Sequence, residues 1–274
     1  MPLRQPDANT PFPSSNTVTA ATPGSLPFRP YGTFASDLDI DFGCQRPLLI
    51  TKVLLQCAGG IGNKIPDKRD VHELPVSSRT RGLLTLLRMS DSPDLNIVLR
   101  CRECNAIMEA EIPIESLITG NAVPARFSVN AGGTAITVRP PTGRDQEQWL
   151  SMNFENEESG VAFMADSLIE DISGKDIQIP LPAELIEAID AGLQECDPLV
   201  GFTINTSCPA CGHVDNFDVD LDGIALDRFH SLQQQILMDI HHLARYYHWN
   251  EQEILAIPPD RRKQYLDLIE KEVI

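Results

Sequence analysis

The chain of 274 residues has no apolar run long enough to cross a bilayer. Its longest, around Pro47 to Leu55 and Leu83 to Leu87, fall far short of the ~20 residues a membrane helix needs, so a soluble protein without membrane insertion is expected. It also lacks a charged-then-apolar leader, and its seven cysteines cannot all pair. A secreted disulfide scaffold is therefore not expected, and the cysteines are read as thiolates of a reducing cytoplasm. Positive charge is scarce where it would matter most. Net charge is −17; residues 1–100 hold 11 Lys/Arg against 9 Asp/Glu, leaving 11 against 30 for residues 101–274, a net of −19. A surface that acidic repels a phosphate backbone, so no nucleic-acid partner is expected; a basic protein partner fits better, and solubility alone is the alternative reading of the charge.

Catalytic constellations are missing as well. Gly59-Gly60-Ile61-Gly62-Asn63-Lys64 lacks the Gly-Lys-Ser/Thr ending of a phosphate loop. His230, His241 and His248 share a helical face but stand two or more turns apart, too far for one metal. The carboxylates near Glu155 to Glu158 and Asp215 to Asp222 read as charged surface, and no Ser/His/Asp order is present. No catalytic residue is assigned, and the protein is read as a non-enzyme.

The length allows one large domain or two modest ones. Residues 1–43 are rich in Pro, Ser, Thr, Asn and Gly without an apolar period, and are expected to form a flexible arm. A strand is predicted near Leu48 to Leu55, a loop from Ala58 to Ser78 and a helix near Arg79 to Met89. Farther on, helical periods cover Pro182 to Leu193, with Pro182 in the first turn, and Leu226 to Trp249, with Phe229, Leu232, Ile236, Ile240, Leu243 and Tyr247 as its buried stripe. Asn250 and Glu253 form a capping-box start for Glu251 to Ile257, and Pro258-Pro259 separates that helix from another over Asp260 to Glu272.

What is present is an internal repeat with an offset of 107 residues. It superimposes Cys101 on Cys208 and Cys104 on Cys211, and it keeps apolar alternation in most of the flanks, Leu95 and Ile97 matching Phe202 and Ile204, although Leu99 meets Thr206 and Met108 meets Asp215. Both copies read strand, CxxC turn, strand. A CxxC turn folds the chain back so that two sulfurs meet at one point, and two turns complete a tetrahedral shell of Zn–S bonds of about 2.3 Å. In Cys208-Pro-Ala-Cys211-Gly212 the proline stiffens the turn and the glycine admits positive φ; Cys101-Arg-Glu-Cys104-Asn105 offers Asn in that place. The repeat suggests two hairpins facing each other about a pseudo-twofold axis, each giving two thiolates to one structural Zn2+. Four ligands leave no position for substrate. Two independent free-thiol pairs or a redox CxxC are the alternatives, and His213 could replace one cysteine. Cys44, Cys57 and Cys196 stand outside ligand spacing and read as ordinary thiols. Arg261-Arg262-Lys263 is the one basic patch of the acidic part, suited to an acidic partner surface or to pairing along its helix, as Lys263 with Asp267.

From Cys208 to Glu270 the chain resembles a known family. Cys208-Pro-Ala-Cys-Gly-His213, Phe217-Asp-Val-Asp-Leu221, Ile240-His-His-Leu-Ala-Arg-Tyr-Tyr-His-Trp249, Glu253-Ile-Leu-Ala-Ile257 and Arg261-Arg-Lys-Gln-Tyr-Leu266 are similar to baseplate hub proteins of contractile phage tails and related injection systems, among them the hub assembly proteins of T-even phages. Val138-Arg-Pro-Pro-Thr-Gly-Arg-Asp145 is more loosely similar, and residues 1–45 have no counterpart. The first knuckle departs from the usual Cys-Pro-x-Cys-Gly at Arg102, Glu103 and Asn105. The resemblance implies a non-enzymatic structural or chaperone-like protein that contacts hub, spike, tube or tape-measure proteins. Its implied place is the bacterial host cytoplasm during assembly, with residence in the finished particle left open.

The expected architecture is thus α+β: two β-hairpin zinc knuckles forming one zinc ribbon, a carboxy-terminal helical cluster and a disordered amino-terminal arm. The expected divisions are 1–43, 44–133 with the first knuckle, and 134–274 with the second. The alternative function is a zinc-ribbon nucleic-acid-binding or regulatory protein.

Overall fold

The structure, a computed structural model, describes residues 26–60, 66–90, 92–120, 122–131, 134–173 and 181–273. It is mixed helix and strand, and its apolar side chains collect into two cores.

The first core is built from both ends of the described chain. Helices α1 (Arg46–Cys57) and α3 (Val76–Ser90) pack together, and α8 (Leu221–Tyr247) lies on α3. Leu49, Ile50, Val53 and Leu54 meet Leu83, Leu84, Leu86, Leu87 and Phe229, all buried. Each such side chain contributes roughly 1.5–3 kcal/mol over its exposed state. Two antiparallel hairpins close this core: β1 (Asp94–Arg100) with β2 (Ile107–Pro113), and β6 (Thr203–Ser207) with β7 (Val214–Asp218). Their inward residues, among them Leu95, Ile97, Leu99, Met108 and Phe217, join the same cluster. The short α2 (Lys68–His72) and α4 (Ile114–Ile118) flank it.

The second core lies between the hairpins in sequence. Strands β3 (Phe127–Ala131), β4 (Thr134–Val138) and β5 (Ile169–Ser173) form one sheet in that order, beside α5 (Gly143–Ser151), α6 (Glu157–Ser167) and α7 (Ala183–Cys196). Val129, Ile136, Val138, Leu168, Leu185 and Ile189 are buried together. The division expected between 133 and 134 falls inside the β3–β4 hairpin, so the two cores divide the chain elsewhere. They are joined by the segment around Thr142. Its neighbour Pro141 accepts from the Val76 amide (2.9 Å), the Gly143 amide donates to Leu74 O (3.3 Å), and α5 packs on α1.

Two expectations are corrected. The run at Leu48 to Leu55 is not a strand but α1, with Pro47 in the first turn and Leu49, Ile50, Val53, Leu54 and Cys57 buried at helical spacing. An apolar run this short does not itself fix its period. The flexible arm expected through residue 43 does not extend over residues 26–43, which pack on the first core; residues 1–25 lie outside the described residues. What holds this segment is polar. The fully buried Asp37, in a 3₁₀ turn at Ala35–Asp39, takes two 2.7 Å bonds from Arg29 and accepts from the amides of Gly32, Thr33 and Phe34. Gln233 on α8 then donates to Leu38 O and Ile40 O, and Tyr31 packs edge-on to Phe229. An apolar count cannot register such an arrangement.

The helices expected near residues 79–89, 182–193 and 226–249 are present as α3, α7 and α8, with α8 beginning at Leu221 and Pro182 capping α7 rather than entering it, while α4, α5 and α6 answer to no expectation. The stripe of α8 is buried at Phe229, Ile236 and Leu243, and the helix ends where His248 turns left-handed at φ 58°. Asn250 and Glu253 bond each other's amides at 2.9 Å to start α9 (Glu251–Leu255), and α10 (Pro259–Val273) follows. The expected loop from Ala58 to Ser78 contains α2 and the start of α3, because Asp67 caps α2 through the amides of Arg69 and Asp70. Residues 61–64 of the glycine-rich stretch lie outside the described residues.

Candidate metal centre

The centre is built at the tips of the two hairpins. β1 delivers Cys101 and β6 delivers Cys208, each at the point where its strand gives way to a turn. The Cys101 amide donates to Ala106 O (3.0 Å) and the Asn105 amide back to Cys101 O (3.0 Å). In the second knuckle the Cys208 amide donates to His213 O (2.8 Å) and the Gly212 amide to Cys208 O (2.8 Å). Every partner is shifted by 107 residues. The turns close through residues of positive φ, Asn105 at 64° and Gly212 at 76°. Gly suits that region, and Asn is among the few other residues that enter it at modest cost. The departure of the first knuckle from Cys-Pro-x-Cys-Gly therefore leaves its geometry intact. Strand register repeats too: Ile97 pairs with Ala110 as Ile204 pairs with Phe217.

Two such turns facing each other bring the four sulfurs together, all within 4.8 Å of one another. Two close contacts cross between knuckles, Cys101 Sγ to Cys211 Sγ at 3.7 Å and Cys104 Sγ to Cys208 Sγ at 3.6 Å. A twofold that exchanges the knuckles exchanges these two pairs, as the repeat requires. A tetrahedral shell of 2.3 Å bonds places sulfurs about 3.8 Å apart. The observed cross-pairs fit this spacing, so the donor set can hold a metal ion. Burial obeys the same symmetry: Cys101 and Cys208 are buried, Cys104 and Cys211 exposed.

Electrostatics point the same way. The Cys104 amide, with the other donors around it, holds the Cys101 thiol below its ordinary value, and the Cys211 amide does the same for Cys208, bringing it to about 7. The second cysteines stand above theirs. The amides of Ala106 and His213 pull them down, but crowding and the sulfurs that ionise first outweigh this, taking Cys211 to about 12. Four sulfurs this close resist collecting four charges by themselves; a divalent cation removes the conflict.

Among the described residues, these four are the one cluster of metal-donor side chains. Cys44, Cys57 and Cys196 stand apart from it, and burial, then the Asp37 charge, pushes the Cys57 thiol up to about 12. The His213 side chain is exposed and the residue serves the knuckle through its carbonyl. His230 stacks on Phe42 and His241 lies beside His242. The basic patch is split, since Arg262 is buried between exposed Arg261 and Lys263.

One contributor was not read from sequence. Arg102, in the first knuckle's turn, reaches Asp215 of β7 at 3.3 Å and lies over the Phe217 ring at 5.7 Å. It bridges the two hairpins beside the sulfurs. Its place in a turn that departs from Cys-Pro-x-Cys was the available signal.

Among the described residues no helix is long and apolar enough to cross a membrane. Comparison of the chain with protein-family models, curated proteins and solved structures finds no match in any of the three.

Proposed function

We propose that this is a non-enzymatic protein in which a structural Zn2+ clamps two halves of the chain, and that it serves in assembly of a contractile-tail baseplate hub. The observation that carries the clamp is the pair of symmetry-related cross-knuckle sulfur contacts, 3.7 and 3.6 Å, within a closed set of four thiols. All-thiolate tetrahedral sets are typical of structural zinc, whereas catalytic zinc keeps a position for water or substrate. The baseplate reading is supported by the resemblance carried by Cys208 to Glu270. The start of α8 in that stretch is held next to the second knuckle by Phe217, Leu221 and Ala225 in the first core, and α10 packs at the other end of α8 through Tyr247 and Tyr265.

Metal analysis of the purified protein beside Cys101→Ser and Cys208→Ser tests the clamp. One zinc per chain is expected in the wild type and loss of it in both variants, with a lower thermal midpoint, because binding energy of a structural zinc is folding energy. Full zinc in both variants would refute a shared site. Co-purification with hub, spike, tube or tape-measure proteins tests the assembly role separately; a chain that associates with none of them sinks that role and leaves the clamp standing.

A further inference from the structure

The second core carries a groove that neither the metal centre nor the helical cluster uses. It runs between the segment after α5 and the first turns of α6, has a volume of about 620 Å3, and is lined by Met152, Phe154, Gly160, Val161 and Met164. The Phe154 ring lies on Gly160, where a Cβ would stand 3.2 Å from it, and packs against Phe163 at 5.6 Å between centroids. The floor is thus fixed by an aromatic pair, while the walls stay in water: Met152 is 38% and Val161 44% exposed, and Leu150, two residues before Met152, is 56% exposed. Thioether walls adapt to the shape of whatever lies on them.

The stretch of chain that builds the groove is strongly acidic in sequence. From Gln146 to Asp197 the chain has 13 Asp/Glu and one Lys, a net of −12 out of −17 for the whole protein. Glu155, Glu157, Glu158 and Asp166, next to the groove in sequence, are all exposed, and no Lys or Arg stands between Arg144 and Lys175. Arg144 itself is paired with Glu73.

From this apolar floor in an acidic field we infer that the groove docks a cationic amphipathic segment of another protein. Apolar anchors of that segment fill the space between Phe154, Val161 and the two methionines, and its Lys and Arg residues meet the carboxylates. Nucleic acid and anionic lipid carry the wrong charge for this surface. A second copy of the chain would bring an identical acidic field against the first. The inference depends on neither the clamp nor the baseplate reading.

The test uses the full-length protein with its methionine methyl groups labelled with carbon-13 for NMR, titrated at physiological ionic strength with a synthetic amphipathic helix of Leu and Lys. The expected result is that Met152 and Met164 resonances shift while Met108 and Met238 do not. Val161→Lys weakens binding by about tenfold or more, the loss of one central apolar anchor. A scrambled peptide of the same composition binds more weakly than the ordered one. Equal binding of the scrambled peptide, unchanged affinity in Val161→Lys, or shifts centred on Met108 or Met238 would each overturn the proposal. So would concentration-dependent broadening of Met152 and Met164 in the protein alone, which would give the groove to a second copy.

Discussion

Replacing Gly143 by alanine would add one methyl group at a point where the structure has no room for it. A Cβ there would stand 1.7 Å from Arg79 Nη1 and 2.4 Å from its Cζ. Arg79 cannot swing aside freely: it is 1% exposed, and its Nη2 donates to Pro47 O at 2.6 Å and to Thr51 Oγ1 at 2.7 Å. These bonds tie α3 to the first turns of α1, and the guanidinium stacked against Gly143 carries the second core on the same joint. Burial lowers the Arg79 pKa to about 10, with the charges of Asp222 and Glu147 opposing the shift, so the group enters the interior charged at neutral pH. Displacing it forfeits hydrogen bonds by a charged donor, roughly 1.5–3 kcal/mol each. Alanine returns at most about 1 kcal/mol of helix propensity at the start of α5. A net loss of about 2–5 kcal/mol follows. Denaturant unfolding, read by far-UV circular dichroism and by Trp149 fluorescence on α5, measures it. The decisive comparison is the double-mutant cycle with Arg79→Met, in which the unbranched, uncharged side chain leaves space for the methyl. Gly143→Ala should be close to neutral in that background, giving a coupling of about 2 kcal/mol or more. An equal cost in both backgrounds would show that the close approach is not what constrains Gly143.

Two further outcomes are expected. Asp145 accepts from both Arg139 Nη atoms at 2.6 and 2.9 Å and from the Thr142 amide and hydroxyl; burial raises its pKa, but these partners outweigh it and hold the carboxyl below its ordinary value. Its stabilisation is therefore present above the unfolded pKa of about 3.9 and disappears as pH falls through the lower folded value. Asp145→Asn should cost about 2–3 kcal/mol at pH 7, a gap from wild type that closes below about pH 4 in unfolding curves taken across pH; a gap independent of pH would refute the ion pair. Arg102→Ala should retain zinc by metal analysis and cost under about 1 kcal/mol, since the arginine side chain is 61% exposed and its pair with Asp215 is screened; loss of the metal would show that the bridge is needed to hold the knuckles together.

The knuckles were legible because their chemistry is local. Cysteine spacing, the residue of positive φ after each pair and the apolar alternation of the flanks all lie within a few residues, and the 107-residue offset carried the register from one copy to the other. Capping was legible for the same reason, as at Asn250 and Glu253. What stayed hidden depends on partners far away in sequence. Whether Pro47 to Leu55 winds or extends is decided by the surface it packs on, since a short run interrupted only at Thr51 and Lys52 does not by itself fix a period. Residues 26–43 are ordered by Asp37 with Arg29 and by Gln233 nearly 200 positions later. Arg79 against Gly143 is likewise a contact between two residues that look ordinary alone. In the groove, Met152, Phe154 and Val161 read as scattered apolar residues until Phe154 is seen lying on Gly160.

The position of the clamp in the chain bears on what it does. The first core takes residues from before and after the second, so the chain leaves it near the first knuckle, builds the whole second core, and returns at the second knuckle. Joining Cys104 to Cys208 through a metal closes that excursion at its neck. A covalent cross-link over a loop of about 100 residues removes unfolded-chain entropy worth about 5 kcal/mol. The hairpins need such help, because two-stranded ribbons with strands of seven and five residues are marginal by themselves. The helices α1, α3 and α8 do not, as they bury Leu49, Val53, Leu83, Leu86 and Phe229 without reference to the sulfurs. Removing zinc should therefore loosen the hairpins and the neck while the helical signal persists, unlike an isolated zinc finger, which unfolds outright without its metal. A metal held by the four cysteines would act on the neck where the chain leaves the first core and returns to it, while the contact that joins the two cores is the Arg79–Gly143 joint.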